Sequence, residues 1–165
     1  MKTASSVWPA LTARQIMRTD VQTIADGAGL LEAVRKLADG RISGMPVTDE
    51  AGHVIGVLSI RDVLDHLSEN PEQQRLFAPR NYYLTTDEDE FAPEEFDEIE
   101  VPEDAEATVA DVMTAQVFAV KIDADLADVA RAFVEHQVHR LLVTDRGKHV
   151  GLVSVMDLMQ ALVRG

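Results

Sequence analysis

The sequence predicts an α/β protein of the α+β kind, built from two β-α-β-β-α repeats packed as a pseudo-twofold pair. Three observations predict it. A long stretch recurs some 95 positions on: residues 42–62 read ISGMPVTDEAGHVIGVLSIRD and residues 138–157 read VHRLLVTDRGKHVGLVSVMD. Upstream of each stretch lies one run with the 3.6-residue apolar period of a helix. Each copy then ends in Ser, two residues and Asp, followed by a second helical run. Internal repetition on this scale sets the architecture before any single element does.

The elements follow in order. A shift of 96 pairs Thr12 with Thr108, Met17 with Met113, Val21 with Val117, Leu30 with Leu126 and Val47-Thr48-Asp49 with Val143-Thr144-Asp145. One residue is lost in the next turn, and a shift of 95 pairs Gly52 with Gly147, Gly56 with Gly151, Ser59 with Ser154 and Asp62 with Asp157. Thr12 and Thr108 are suited to N-cap a helical turn ending at the Met. Short strands are expected over 21–24 and 117–120. Leu30, Ala33, Val34 and Leu37 then mark one buried helix face, matched in copy two by Leu126, Val129, Ala130, Phe133 and Val134, with Asp125 as N-cap. Hairpins join 45–48 to 54–59 and 141–144 to 150–154. A last helix carries Val63, Leu64 and Leu67, or Leu158, Leu162 and Val163. A strand-helix-strand crossover gives parallel pairing and a short turn antiparallel pairing, so each sheet is mixed. Half-size units of roughly 55 residues bury too little surface to stand alone, so the two sheets are expected to face each other across a shared core.

The organisation is then an N-terminal extension over 1–11, repeat one over 12–68, a non-repeating insert over 69–107 and repeat two over 108–165. The net charge of -14 belongs to the insert: residues 87–106 hold twelve of the 29 acids, and without them 17 acids face 15 bases. Nucleic acid is therefore a poor partner, since its binding rests on basic patches. The insert reads either as a solvated, partly disordered linker or as a docking or lid segment, because Phe77, Tyr82, Tyr83, Leu84, Phe91 and Phe96 concentrate there. Its acids lack the glycine and terminal glutamate of a calcium loop. With no cysteine in the chain there is neither a disulfide nor thiolate chemistry. The first twenty residues hold no continuous apolar run, and no stretch approaches a membrane span. A cytoplasmic protein is expected, with no membrane partner and no effector domain after repeat two.

Ser59-Ile60-Arg61-Asp62 and Ser154-Val155-Met156-Asp157 read first as capping boxes, in which each side chain satisfies the other's backbone amide. They also stand where a buried strand meets a helix N-terminus, a natural place for an anion. A carboxylate there can accept hydrogen bonds from a vicinal diol, which makes a nucleotide edge.

The two copies resemble tandem cystathionine-β-synthase-type (CBS) domains, the pair known as a Bateman module, over residues 12–68 and 108–163. The resemblance implies two clefts for adenine nucleotides (AMP, ADP or ATP) or related adenosyl ligands, with the last Asp on the ribose and the Ser at ribose and phosphate. It implies that each cleft takes its Asp from one repeat and part of its wall from the other. Asp62 and Ser59 would then share a cleft with Val138, His139 and Arg140, where "VHRL" is similar to the His-Arg of a kinase gamma subunit and Arg61 adds charge. Asp157 and Ser154 would share the other with Ile42, Ser43 and Gly44, which bring no charge. A strand-edge Arg140 reads equally as a solvated or ion-paired side chain, and His136 with His139 lack a third metal ligand.

No catalytic constellation accompanies this: there is no Gly-x-Ser-x-Gly, P-loop or His-Glu-x-x-His. The reading is a stand-alone, non-enzymatic module that needs no cofactor. It senses an adenosyl ligand, signals to an unidentified regulated protein and, by resemblance, forms a homodimer. The competing reading is an adaptor with empty clefts that acts through its acidic, aromatic insert.

Overall fold

The computed structural model describes residues 8–67, 82–84, 99–102 and 105–165. It falls into two compact units. One is contiguous, Val21–Val117; the other is split, joining the segment that ends at Asp20 to Phe118–Gly165. Each unit therefore takes the opening segment of the repeat that is not its own.

The contiguous unit holds β1 (Ile24–Ala25), α2 (Leu30–Gly40), β2 (Gly44–Thr48), β3 (Val54–Ser59), α3 (Ile60–Leu67) and the short α4 (Val109–Val112). The split unit holds α1 (Ala13–Ile16), β4 (Ala119–Lys121), α5 (Leu126–His136), β5 (Arg140–Asp145), β6 (Lys148–Ser154) and the last helix, α6 (Val155–Arg164). Each sheet has three strands with the middle one shared, in the orders β1-β2-β3 and β4-β5-β6. β1 runs parallel to β2 and β4 parallel to β5, while both hairpins are antiparallel, as the repeat pattern requires. A register shift falls between Val47 and Thr48, and again between Val143 and Thr144, the same place in both copies.

Local chemistry explains the ends. Asp125 caps α5 by accepting the Asp128 backbone N–H at 2.8 Å. Helices α2 and α5 both stop on a left-handed residue, Arg41 (φ 49°) and Gln137 (φ 53°), whose amides return to the last turn. In the β5–β6 hairpin Arg146 and Gly147 both have positive φ, 52° and 81°, which suits the right-handed twist of paired strands. In the longer β2–β3 turn Asp49 Oδ1 accepts the N–H groups of Ala51 (2.9 Å) and His53 (2.8 Å).

All four stripe residues of α2 are buried, and Ala33, Val34 and Leu37 share the core of the contiguous unit with Met45, Val47, Leu58, Ile60 and Val63. In the split unit Leu126, Val129 and Phe133 are buried as expected, but Val134 is 76% exposed and Val163, on α6, is 84% exposed. These two extend the apolar stripe past the face that the sheet covers. The leading strands are shorter than the sequence suggests. The named strands cover only Ile24–Ala25 and Ala119–Lys121, paired with β2 and β5, with the Phe118 carbonyl just before β4 accepting the Leu142 N–H at 3.0 Å.

The insert lies largely outside the described residues, including Phe77, Phe91 and Phe96. What is described departs from a solvated linker. Tyr82 and Tyr83 are 2% and 1% exposed, and Ile99 and Val101 pack against the core of the contiguous unit.

Candidate functional site

Both Ser-x-x-Asp motifs are capping boxes. The Ser59 N–H and hydroxyl each donate to Asp62 Oδ2 at 2.7 Å, and the Asp62 N–H returns to Ser59 Oγ at 3.2 Å. In the split unit the Ser154 N–H and hydroxyl donate to Asp157 Oδ2 at 2.8 Å, with the return bond at 3.1 Å. One carboxylate oxygen at each helix start is thus fixed from within its own motif.

The other oxygen meets a residue that sequence reasoning missed. After α4 the chain crosses β3, where Val57 and Thr114 exchange backbone hydrogen bonds at 2.9 Å in both directions. The Thr114 hydroxyl then reaches Asp62 Oδ1 at 3.2 Å. After α1 the chain crosses β6 in the same way, with Arg18 N–H to Leu152 O at 2.8 Å and Leu152 N–H to Arg18 O at 2.9 Å. There Arg18 Nε meets Asp157 Oδ1 at 3.3 Å. Arg18 and Thr114 are repeat equivalents. One arm brings a guanidinium to its carboxylate and the other a neutral hydroxyl.

The motif glycines permit these crossings. A Cβ on Gly56 would stand 2.7 Å from Thr114 O, and one on Gly151 would stand 2.7 Å from Arg18 O. Neither separation is tolerable, so the strand must be bare where the arm passes.

The environments of the two acids differ accordingly. Burial raises the Asp62 carboxyl above the usual carboxylate range, against the pull of its bonds to Ser59 and Thr114. Asp62 Oδ1 is held by one neutral hydroxyl, whereas Asp157 Oδ1 is engaged by a cation.

The remaining expected site residues sit at the starts of the middle strands. Gly44 is the cross-strand partner of Ser59, and the Ser43 carbonyl accepts the Ile60 N–H at 2.9 Å. Arg140 is the partner of Ser154, and the His139 carbonyl accepts the Val155 N–H at 2.9 Å. Val138 and Arg140 are buried and His139 is exposed. Ile42 is half-buried, one residue past the α2 cap. Arg61 pairs with Asp65 along α3, its Nε 3.0 Å from Oδ1. The structure therefore groups Ser59, Asp62 and Ser43-Gly44 in one unit, and Ser154, Asp157 and Val138–Arg140 in the other. His136 lies against the Phe118 ring, 4.7 Å between centroids. Among the described residues no three His, Cys, Asp or Glu side chains converge as a metal site, and no helix is long and apolar enough to cross a membrane.

Comparison with known proteins agrees with the fold. The family model "CBS domain" matches residues 13–69 and 109–164. An uncharacterized protein of Methanocaldococcus jannaschii is 29% identical over 91% of this chain and 90% of its own. The 5'-AMP-activated protein kinase subunit gamma-3 of Bos taurus is 26% identical over 87% of this chain, which spans only 24% of that subunit. The crystal structure of CBSX2 in complex with AMP, a protein known as a chloroplastic CBS domain-containing protein in Arabidopsis thaliana, superposes with a TM-score of 0.61. It is 22% identical and covers 94% of this chain and 98% of that one.

Proposed function

The chain belongs to the CBS domain family, with two copies of the domain, and from that premise we propose that it is a regulatory module. It binds an adenosine-containing ligand (AMP, ADP, ATP or a related adenosyl compound) and passes the bound state to a partner protein. The observation that carries this reading is the pair of capping boxes. Each fixes a carboxylate at a helix start with one oxygen turned towards an arm that a ligand can displace. The ribose hydroxyls bond to Asp62 and Asp157, with Ser59 and Ser154 beside them. AMP in the CBSX2 complex supports the ligand class. Signalling follows from differential affinity: a ligand that binds one arrangement of the module more tightly populates it.

The phosphate contacts form part of the same proposal. Asp62 works with Val138, His139 and Arg140, with Arg61 contributing charge nearby, and Asp157 works with Ile42, Ser43 and Gly44. A double-mutant cycle on Asp62→Ala and Arg140→Ala, read by AMP affinity, tests the first grouping. Additive losses would place the two residues in different sites. Homodimerisation is proposed from the exposed apolar residues Val134, Met156, Met159 and Val163 on α5 and α6. A monomer by light scattering at micromolar concentration would overturn it.

Thermal melting with AMP, ADP, ATP, S-adenosylmethionine and cyclic dinucleotides tests the central claim. A ligand at a hundred times its Kd adds about 2.7 kcal/mol to stability, which for a chain of this size raises Tm by roughly 5–10 °C. No rise with any of these ligands at millimolar concentration would sink the nucleotide reading and favour the adaptor.

A further inference from the structure

We propose that Arg18 is an internal competitor for Asp157, so that a ribose diol takes that carboxylate only by drawing the guanidinium off it. This rests on the nucleotide reading above and adds to it the residue that ranks the two carboxylates.

The argument is a count of lone pairs. A carboxylate has about four acceptor sites, two on each oxygen. On Asp157 the Ser154 N–H and hydroxyl both go to Oδ2 at 2.8 Å, and the start of α6 depends on that capping box. Arg18 Nε–H takes a site on Oδ1 at 3.3 Å. A vicinal diol brings two donors to the one site left. Arginine has donors and no acceptor, so it cannot accept a hydrogen bond from the diol. One of the two must yield.

The geometry lets Arg18 yield without unfolding its surroundings. Its backbone is held apart from its side chain, by the bridge to Leu152 two residues before Ser154, with bonds of 2.8 and 2.9 Å. The Arg18 side chain is 47% exposed and that of Asp157 12%. An ion pair with one partner so exposed is weak, because water screens it and the long side chain gives up freedom to make it. A ligand can therefore outcompete the guanidinium while the segment stays on β6.

The other repeat shows the alternative. Thr114 crosses β3 at Val57 in the same kind of bridge and donates to Asp62 Oδ1 at 3.2 Å. Its hydroxyl both donates and accepts. By rotating it can release the oxygen to a diol and accept one of the diol's hydrogen bonds in return. The equivalent position thus assists at Asp62 and competes at Asp157.

The test is calorimetric titration of the whole chain carrying Asp62→Ala, which isolates Asp157, with and without Arg18→Thr. Arg18→Thr installs the side chain of the repeat equivalent. It should tighten AMP about threefold and leave 2′-deoxy-AMP, which has no diol, unchanged. AMP affinity unchanged or weakened, or an equal gain for both ligands, would overturn the proposal. Failure of both variants to bind AMP when the unmodified protein binds it would also overturn the proposal and leave the nucleotide reading at Asp62 standing. No AMP bound by the unmodified protein would sink that reading and this proposal together. A direct readout is the Arg18 Nε signal in a 15N NMR spectrum, assigned by its loss in Arg18→Thr. It should shift as AMP saturates the Asp62→Ala protein, and a signal that stays in place while AMP binds would overturn the competition.

Discussion

Substituting alanine for Gly56 should detach the arm that brings Thr114 to Asp62. The added methyl meets Thr114 O at 2.7 Å and Met113 Sδ at 2.9 Å. The sulfur can swing away. The carbonyl cannot, because it accepts the Val57 N–H in a bridge whose two bonds are both 2.9 Å. Overpacking of this kind costs about 1–3 kcal/mol, and loss of two backbone hydrogen bonds adds about 1–3 kcal/mol. Because relief of one cost incurs the other, about 3 kcal/mol is the reasonable total. That corresponds to a fall in Tm of roughly 6–12 °C. Gly27→Ala is the control, since nothing lies within 4 Å of its added methyl. Its Tm should stay close to that of the unmodified protein. Differential scanning calorimetry on both variants decides the matter. A Gly56→Ala protein melting within two degrees of the unmodified one would refute the claim that the arm, and not turn conformation, requires this glycine.

Asp62→Ala should remove most AMP binding, a loss of roughly a hundredfold for two charge-assisted hydrogen bonds. Asp157→Ala should cost much less, because Arg18 already engages that carboxylate; the reverse order by calorimetry would reject the assignment. Arg140→Ala should weaken AMP about tenfold and leave adenosine nearly unchanged, and equal weakening of both would remove Arg140 from the phosphate. AMP affinity should fall on acidification from a pH above the usual carboxylate range, because burial raises the Asp62 pKa and the protonated acid is the poorer acceptor. Adenosine, which has no phosphate to titrate, should show the same fall, and Asp62→Asn should abolish it for adenosine. Both ring nitrogens of His149 are buried and meet no hydrogen-bond partner among the described residues, and burial lowers its pKa below 6.5. The unfolded chain therefore takes up the proton first, and stability is lost as pH falls from about 6.5 towards the folded value. His149→Leu should raise stability by about 1 kcal/mol at neutral pH and flatten melting curves in that window; an unchanged acid limb would show that His149 is not its source.

Much of this was legible in the sequence because the repeat writes it twice. The α2 stripe, the hairpins and the Asp125 cap follow from spacing and residue type alone. Ser59–Asp62 and Ser154–Asp157 are close enough in the chain for their bonds to be read from sequence. Arg18 was not legible, since its partner lies 139 positions away and nothing in Met-Arg-Thr-Asp marks a site. Comparing Arg18 with Thr114 by the repeat shift was the available signal. Val134 and Val163 show the limit of periodicity: a stripe records which residues are apolar, not how far the covering sheet extends. Tyr82 was flagged only as an aromatic in an acidic stretch. Its destination depends on Gly44, whose lack of a side chain is informative only once the ring is seen on it.

The division of the chain also has a consequence for synthesis. The contiguous unit is complete once Val117 has been made, and the hydrogen bond from its Thr114 to Asp62 spans 52 positions. The split unit is different, because Arg18 emerges early and must wait for Asp157, 139 positions later. At translation rates of about 5–20 residues per second, that wait is roughly 7–28 s. During this interval the earliest-made segment has no strand to lie against, while the later-made middle of the chain can already fold. Trimming this chain for study therefore carries unequal risk at its two halves. A chain ending at Val117 keeps every element of the contiguous unit, whereas one starting at Phe118 discards the segment that completes the other.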